Sequence, residues 1–422
     1  MHELHQITTA QKEFPDRLVL QPPTISRTLL VQALLTCSSF DEQTNLLFRS
    51  MSVTSSDLLA RAVFVQNLTT CMRRSWPDID FVVHGSHANG LICRTSDLDL
   101  LMVPGDIRML PQPLGGDSGY AKQAHHLRVL RSFMRSADPL ARLQSNLLQS
   151  RFNLLHISVV PMLGIPADIC FPIQPIELLQ RVSSLYDRLN TVYAPRIPVI
   201  MLIIKHLARL AGLIQSGPSQ YFTSFKLYAL LLHYLQVNGF APALNHLMAE
   251  EELPPPLSSS CPLSRRQEIS WPEQSVWPDS TAALLTDFFC YLVGLKPTLV
   301  TLCLASGRLL PRQAAQNNRF LDVPNPFKLG WNILHGIGRS EWSSFLSWIQ
   351  RLQPFLNRAE HLAHGEVSIE GASSVAGIHS NKLAMAHLVR SKMESPIWGI
   401  PAMESIQLRS NCIKEHENKL IF

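Results

Sequence analysis

Apolar and polar residues alternate along this chain in two rhythms, one typical of helices and one typical of buried strands. Between residues 25 and 74 apolar side chains recur at helical spacing, which predicts helices. Short apolar runs bounded by Gly, Ser or Pro then predict buried strands. These runs lie at residues 81–85, 98–103, 154–160 and 167–171, and a turn at Gly164 separates the last two.

After Pro175 the helical rhythm returns. Apolar periodic stretches predict long helices at residues 197–213, 225–236, 281–295 and 342–356. Together the two halves predict an α+β fold with two domains, a small mixed β-sheet domain and a larger helical domain, with a ligand-binding cleft between them.

The predicted divisions of the chain follow from these changes of rhythm. They are a flexible segment (1–23), the sheet domain with its N-terminal helices (24–175), the helical domain (176–364) with a Pro- and Ser-rich insertion (251–280), and a mobile tail (365–422).

Composition narrows the class of protein without deciding its function. Of the 422 residues, 46% are hydrophobic and 16% are charged, so the chain can bury substantial cores. The net charge of +5 suits a polyanionic partner but does not require one. The eight cysteines are scattered without a CxxC pair, which argues against a zinc finger or a disulfide framework. With no signal-like N-terminus and no bilayer-length apolar run, we expect a cytoplasmic protein, with the nucleus as the alternative and no membrane association.

The segment HGSHANGLICRTSDLDLL carries the most specific chemistry in the sequence. Gly85 and Gly90 follow a predicted strand, where the missing Cβ lets backbone N–H groups approach a triphosphate. The Ser86 hydroxyl adds a further donor. Asp97 and Asp99 are two apart on a strand, so their carboxylates share one face, about 6.6 Å apart along the chain. Such a pair is costly unless a cation lies between the charges, and carboxylate oxygens favour Mg²⁺.

An isolated Asp-x-Asp or Gly-Ser pair is common and more often belongs to a surface or a turn than to a site. The ordered combination GS-x(3)-G-x(5)-SDLDL, however, resembles the signature of the DNA polymerase β superfamily of nucleotidyltransferases. Antibiotic-modifying enzymes and nucleotide sensors belong to the same superfamily, so the signature alone does not fix the substrate. The resemblance also implies a third acid on a neighbouring strand. Asp168 is the candidate, because it shares one face of its strand with Cys170 while Ile169 occupies the other.

Segments of the helical half narrow the resemblance further. In the expected order, they are similar to the central and poly(A)-polymerase-associated segments of the noncanonical poly(A) polymerases and terminal uridylyltransferases. The likeness covers about residues 55–350, and its helical segments are 195–236, 280–294 and 320–337.

This family resemblance implies several nucleotide contacts. Lys205 and Arg209, four apart on one helix face, are expected to contact the triphosphate, although alone they could form a solvated basic face. Ser224 is also expected at the triphosphate. Phe225 is expected to stack on the incoming base, although an aromatic core residue would fit the pattern equally well.

Three positions depart from the family pattern. Ser183 stands where an asparagine often contacts the ribose, and Asn325 replaces the aspartate of the closing motif. Trp331 replaces the histidine that many uridylyltransferases have immediately before the expected nucleotide contact Asn332. Because that histidine favours uracil in the family, its absence favours ATP, with UTP as the alternative. Trp331 as a different kind of base selector stays open.

Taken together, the resemblance implies an enzyme that adds adenylates to RNA 3′ ends without a template. Asp97, Asp99 and Asp168 are expected to be catalytic and to bind Mg²⁺, with Mn²⁺ as the alternative. The substrates are expected to be an NTP and an RNA 3′ end. The sequence shows no RNA-recognition module, zinc knuckle or basic run, which predicts an RNA-binding adaptor protein as partner. The alternatives are a terminal uridylyltransferase and a catalytically inactive RNA-regulatory scaffold.

Overall fold

The computed structural model describes the chain between residues 27 and 363, with several gaps. The gaps are residues 75, 104, 106–116, 137–143, 150–152, 161–162, 173–175, 215–221, 251–276, 279, 313–318 and 329. The predicted flexible segment 1–23, most of the predicted insertion 251–280 and the predicted tail 365–422 therefore lie outside the described residues.

Three of the predicted helices, at residues 197–213, 225–236 and 281–295, are observed with bounds within three residues of those predicted. Several helices have a local reason to start where they do, as in α3, where Thr54 and Asp57 form a capping box. In chain order they are α1 (Arg27–Thr36), α2 (Phe40–Met51), α3 (Ser55–Arg73), α4 (Asp117–Ser136), α5 (Ile176–Arg188), α6 (Ile197–Leu210), α7 (Ser224–Val237), α8 (Leu244–Glu250), α9 (Thr281–Gly294) and α10 (Arg339–Ala363). Helix α5 continues into a π-helical turn at Leu189–Tyr193.

Five strands form one mixed sheet in the order β1-β2-β5-β4-β3. The β2–β5 pair is parallel and the other three pairs are antiparallel. A separate antiparallel hairpin consists of β6 and β7. The strands are β1 (Asp80–Val83), β2 (Leu98–Val103), β3 (Ser145–Gln149), β4 (Asn153–Val160), β5 (Ile165–Cys170), β6 (Val300–Cys303) and β7 (Arg308–Pro311).

One face of the five-stranded sheet is covered by helices α3 and α4. Burial alternates along β5, so that Ala167 and Ile169 point to this face and are fully buried. They belong to one apolar cluster with Leu68 of α3 and with Leu127 and Leu130 of α4. The opposite face of β5 is only half-buried, and it carries the polar residues described below.

The helical domain is built around α6 and α7. Every residue of α7 from Lys226 to Gln236 is buried, as expected for a helix that is apolar on nearly all sides. Phe288 of α9 and Phe345 of α10 pack into the same core and are fully buried. Each such side chain contributes about 1.5–3 kcal/mol through removal from water, which makes this core the rigid wall of the cleft.

Helix α2 packs on the helical domain, although the predicted division placed it with the sheet. Its Leu47 and Met51 belong to the buried cluster of α6 and α7. The Asp41 carboxylate also accepts a hydrogen bond of 2.8 Å from the backbone N–H of Thr281 at the start of α9. The chain therefore crosses between the domains before the sheet begins.

The predicted α+β fold, with a mixed sheet beside a helical domain, is confirmed. The sequence pattern did not predict α4, β3 or the β6–β7 hairpin. Strand β3 is a five-residue edge strand whose Asn146 and Leu148 are exposed, so it lacks an apolar run. Cys303 of β6 is disulfide-bonded, which the scattered cysteine spacing did not predict, because spacing does not show which thiols a fold brings together. Free thiols are present at Cys37, Cys71, Cys93, Cys170 and Cys290.

Among the helices described, no single one has the length and apolar character to cross a membrane. The consecutive segments Ile176–Tyr193 and Ile197–Arg209 reach that length and composition only as a pair, and they are bent by 105° relative to each other.

Candidate active site

The loop that follows β1 depends on two glycines in the left-handed backbone region. Gly85 has φ +66° and begins a 3₁₀ turn. A Cβ at this position would collide with the carboxylate of Asp99. Gly90 has φ +73°, and a Cβ there would lie 2.8 Å from an oxygen of Asp187 at the end of α5. Only residues without a side chain allow the loop to approach both domains this closely.

Three carboxylates meet beside this loop. Ligand oxygens of Asp97, Asp99 and Asp168 all lie within 4.8 Å of one another. The sheet explains this arrangement, because β2 and β5 are parallel neighbours in which Asp99 and Asp168 are direct register partners. Asp97 immediately precedes β2. The structure thus brings together the three acids that were predicted from the sequence.

The three acids are half-buried and their charges repel one another. Burial, together with the negative charges of Asp97 and Asp168, raises the pKa of Asp99 to about 8, while Lys205 opposes the rise. Converging carboxylate oxygens with this excess of negative charge fit a hard divalent cation such as Mg²⁺. Carboxylates bind such a cation in their ionised form.

A cavity of about 350 Å³ opens next to the acids. Its wall includes Gly85, Ser86 and Lys205, together with Asp97 and Asp99. The hydroxyl oxygen of Ser86 is buried and has no hydrogen-bond partner among the described residues, which is costly unless a ligand supplies one. Lys205 is only 9% exposed, and its burial lowers the pKa of its ammonium group. A buried cation and an unsatisfied hydroxyl on one wall fit an anionic ligand.

The first turn of α7 forms the opposite wall of the cavity. Thr223 caps the helix by accepting a hydrogen bond from the N–H of Lys226, and Ser224 and Phe225 line the cavity. The Phe225 ring is 41% exposed and packs edge-on against Tyr186 with ring centroids 6.3 Å apart. A helix N-terminus favours phosphate, and an exposed ring at the same wall can stack on a base.

The cavity wall includes neither of two further predicted nucleotide contacts, Arg209 and Trp331. Arg209 is exposed one turn beyond Lys205. Trp331 is 40% exposed, and the ammonium nitrogen of Lys328 lies 3.3 Å above its ring centroid. Ser183 is half-buried on α5. The cavity wall described here includes none of these residues.

Asn332 and Asn325 shape the loop that carries Trp331. The Asn332 side-chain oxygen accepts hydrogen bonds from Val323 N–H (2.9 Å) and Leu334 N–H (3.1 Å). The Asn332 amide nitrogen donates to the Leu321 carbonyl at 2.7 Å. The Asn325 side chain accepts from Phe327 N–H at 2.8 Å. Both side chains therefore bond to the backbone of their own loop, and a nucleotide contact from Asn332 stays a prediction.

Arg61 is a supporting residue that sequence analysis missed. Its side chain on α3 is buried, and one guanidinium nitrogen donates to the carbonyls of Cys93 (3.4 Å), Arg94 (3.4 Å) and Ser96 (3.1 Å). Arg61 therefore fixes the segment that leads directly into Asp97. No local pattern distinguishes it from a surface arginine on an amphipathic helix.

Asn190 and His156 are two further supporting residues. Asn190, buried in the π-helical turn, donates to the Asn89 carbonyl at 2.7 Å and accepts from the Tyr228 hydroxyl at 3.0 Å, and so joins the glycine loop to α7. His156 on β4 approaches Asp168, with 2.6 Å between its Nδ1 and a carboxylate oxygen. In the sequence, His156 is marked only as a polar residue within the apolar run of β4, which does not indicate its contact with Asp168.

Comparison with known proteins gives the same assignment for the sheet domain. Residues 40–171 match the family model described as poly(A) RNA polymerase, mitochondrial-like, central palm domain. The sheet domain is therefore similar to this palm domain. The predicted relationship to noncanonical poly(A) polymerases and terminal uridylyltransferases is thereby confirmed. No curated protein sequence matches the chain.

Solved structures extend the likeness beyond the palm domain. The structure of mtPAP in its apo form aligns with a TM-score of 0.64 and 16% identity, over 84% of this chain and 76% of that chain. The complex of mtPAP with UTP gives 0.61 and 18% identity, over 80% and 73%. A mutant of the Cid1 poly(U) polymerase bound to MgATP gives 0.54 and 15%, over 81% and 98%. At these identities the chain shares their fold.

Proposed function

We propose that this protein transfers nucleotides from an NTP to the 3′ end of RNA without a template, with ATP as the preferred donor. The observation that carries this proposal is the convergence of Asp97, Asp99 and Asp168 within 4.8 Å, beside a cavity with an anion-binding wall, in a palm domain of the poly(A) polymerase type.

One group of residues at the cavity binds the donor triphosphate, and the three acids bind the metal ions beside the acceptor. Gly85, Ser86, Lys205 and Ser224 hold the triphosphate of the donor, because they supply backbone N–H groups, hydroxyls and a buried cation. The three acids hold Mg²⁺, or Mn²⁺ in its place. When bound there, the cations neutralise phosphate charge and lower the pKa of the attacking hydroxyl. The chain itself aligns the two substrates and excludes water.

Donor choice is the finer part of the proposal. Crystal structures of mtPAP hold UTP, GTP, CTP and an ATP analogue, so the likeness to mtPAP does not select one donor. The preference for ATP rests on Trp331, which stands where uridylyltransferases of the family have a histidine. Lys328 covers one face of its ring, and the histidine on which uracil selection depends in the family is absent. UTP remains the alternative donor, and Trp331→His should shift the preference towards it.

A single assay tests the activity and the donor. A 5′-labelled oligoribonucleotide is incubated with the purified chain, Mg²⁺ and each NTP in turn, and the products are resolved on a sequencing gel. We expect extension with ATP, weaker extension with UTP, and none by the Asp97→Asn variant. Extension by UTP alone would make the protein a uridylyltransferase. Failure to extend with any NTP would favour the inactive scaffold.

We further propose that an adaptor protein selects the RNA target. The sequence contains no RNA-recognition module, zinc knuckle or basic run, which leaves sequence reading of RNA to a partner. The assay above, repeated with unrelated RNA sequences, tests this directly. Similar rates on all of them support an adaptor, and a strong preference of the isolated chain for one sequence would refute it.

A further inference from the structure

A row of polar residues continues across the sheet beyond the catalytic acids. Asp99 pairs with Asp168, Asp168 pairs with His156, and His156 pairs with Asn146 in the registers of four adjacent strands. Directly paired residues project to the same face of a sheet. With neighbouring strands about 4.8 Å apart, the row extends about 14 Å from Asp99 to Asn146.

The outer half of this row lies on the acceptor side of the reaction centre. The cavity proposed for the triphosphate includes Asp99 but neither Asp168, His156 nor Asn146. In phosphoryl transfer the attacking and leaving oxygens lie roughly in line on opposite sides of the phosphorus. If pyrophosphate leaves towards Lys205, the attacking hydroxyl must approach from the side of Asp168.

His156 is oriented so that one ring nitrogen stays available. Its Nδ1 lies 2.6 Å from a carboxylate oxygen of Asp168. A carboxylate only accepts, so in the neutral ring Nδ1 carries the hydrogen and Nε2 is an acceptor. Nε2 makes no hydrogen bond to the described residues, and the side chain is 26% exposed. It can therefore accept a hydrogen bond from a ligand hydroxyl.

Asn146 and a pair of leucines complete the surface. Asn146 is exposed on the edge strand β3, and its amide can both donate and accept. Two residues further on, Leu148 is 38% exposed and pairs with Leu154 on the same face. Polar groups beside an apolar patch match the chemistry of a nucleotide, with its sugar hydroxyls and flat base.

We propose that His156 and Asn146 bind the 3′-terminal ribose of the RNA acceptor, with the 2′-hydroxyl as the group recognised. His156 is at the same time a positioning residue, because it holds the Asp168 carboxylate. This inference deepens the proposed function and rests on it. It predicts that the enzyme distinguishes an RNA end from a DNA end at the terminal sugar alone.

The test uses two acceptors that are identical except for the terminal sugar, which is ribose in one and 2′-deoxyribose in the other. Both keep the 3′-hydroxyl that reacts. With ATP and Mg²⁺ we expect kcat/KM to favour the ribose end by about tenfold in the wild type, the effect of one good hydrogen bond. Asn146→Ala should reduce this ratio several-fold and leave the KM for ATP unchanged. The matched control Asn238→Ala, which removes an exposed amide at the end of α7, should keep the ratio.

A binding measurement separates this inference from the proposed function. Fluorescence anisotropy of the two labelled acceptors in EDTA reports terminal-sugar recognition without catalysis. Tighter binding of the ribose end, lost in Asn146→Ala and in His156→Phe, supports the site even if no NTP is incorporated. Equal wild-type binding and equal wild-type rates for both ends would refute it, and so would a sugar preference that survives both substitutions.

Positioning by His156 has its own readout. His156→Gln should raise the Mg²⁺ concentration needed for half-maximal rate, because Asp168 loses the partner that holds it, while the KM for ATP stays the same. An unchanged Mg²⁺ requirement would show that Asp168 needs no such support.

Discussion

Replacing Asp99 by asparagine should stabilise the metal-free protein and abolish its activity. Asparagine has nearly the same shape as aspartate, so it removes charge without creating a cavity. In the folded chain Asp99 has a pKa of about 8, raised by burial and by Asp97 and Asp168, against 3.8 for an unperturbed aspartate. The folded state therefore holds a proton that the unfolded state has released.

The magnitude and its pH dependence follow from these two values. The gap between pH 3.8 and pH 7 corresponds, at about 1.36 kcal/mol per pH unit, to a penalty of about 4 kcal/mol at pH 7. Below pH 3.8 the penalty is absent, and it grows until about pH 8. Asp99→Asn should therefore gain little at pH 5 and most at pH 8.

The assay is differential scanning fluorimetry in EDTA at pH 5, 7 and 8. We expect the midpoint of Asp99→Asn to exceed that of the wild type by several degrees at pH 8, and by much less at pH 5. The control Asp287→Asn, on the exposed face of α9, should follow the wild type. Added Mg²⁺ should stabilise the wild type and not the variant. A variant less stable than the wild type at pH 8 would refute the electrostatic reasoning.

Three further predictions test the supporting structure. Gly85→Ala should lower kcat more than about a hundredfold, because the new Cβ would collide with Asp99. The control Gly164→Ala, also at positive φ but with open space around the new Cβ, should lose stability only. Equal activities of the two variants would contradict this. Arg61→Lys should lower kcat roughly tenfold or more, because lysine lacks the planar guanidinium whose terminal nitrogen reaches the three carbonyls, and a wild-type rate would dismiss Arg61 as a positioning residue. Burial lowers the pKa of His233 to about 4, so the free energy of unfolding should fall by on the order of 3 kcal/mol as pH falls from 6.5 to 4. Chemical denaturation of His233→Phe should show a weaker dependence of stability on acid pH. An unchanged dependence would count against His233 as its origin.

The catalytic half of the site could be predicted from the sequence because its residues are local. Asp97 and Asp99 lie in one segment with Gly85, and a strand of period two places both acids on one side. Asp168 required the family resemblance, but the parallel pairing of β2 and β5 brings it to Asp99. A set of catalytic residues that lies within about fifteen positions of the chain can be recognised in the sequence as one motif.

The supporting half could not be predicted because its contacts are long-range. Arg61 binds carbonyls more than thirty residues away, and Asn190 reaches a loop a hundred residues earlier. His156 depends on the register of two antiparallel strands. Arg209 and Asn332 lie outside the cavity wall, and their nucleotide contacts stay predictions, because residue spacing gives a helix face or a loop but not the direction in which a side chain points.

Divalent-cation binding at the three acids tests the central claim most directly. Titration of Mn²⁺ into the purified chain with an NTP analogue, followed by electron paramagnetic resonance, measures bound ions without requiring turnover. We predict saturable binding by the wild type and its loss in the Asp97→Asn, Asp99→Asn, Asp168→Asn triple variant. Equal binding by the two proteins, or none by the wild type, would contradict the account.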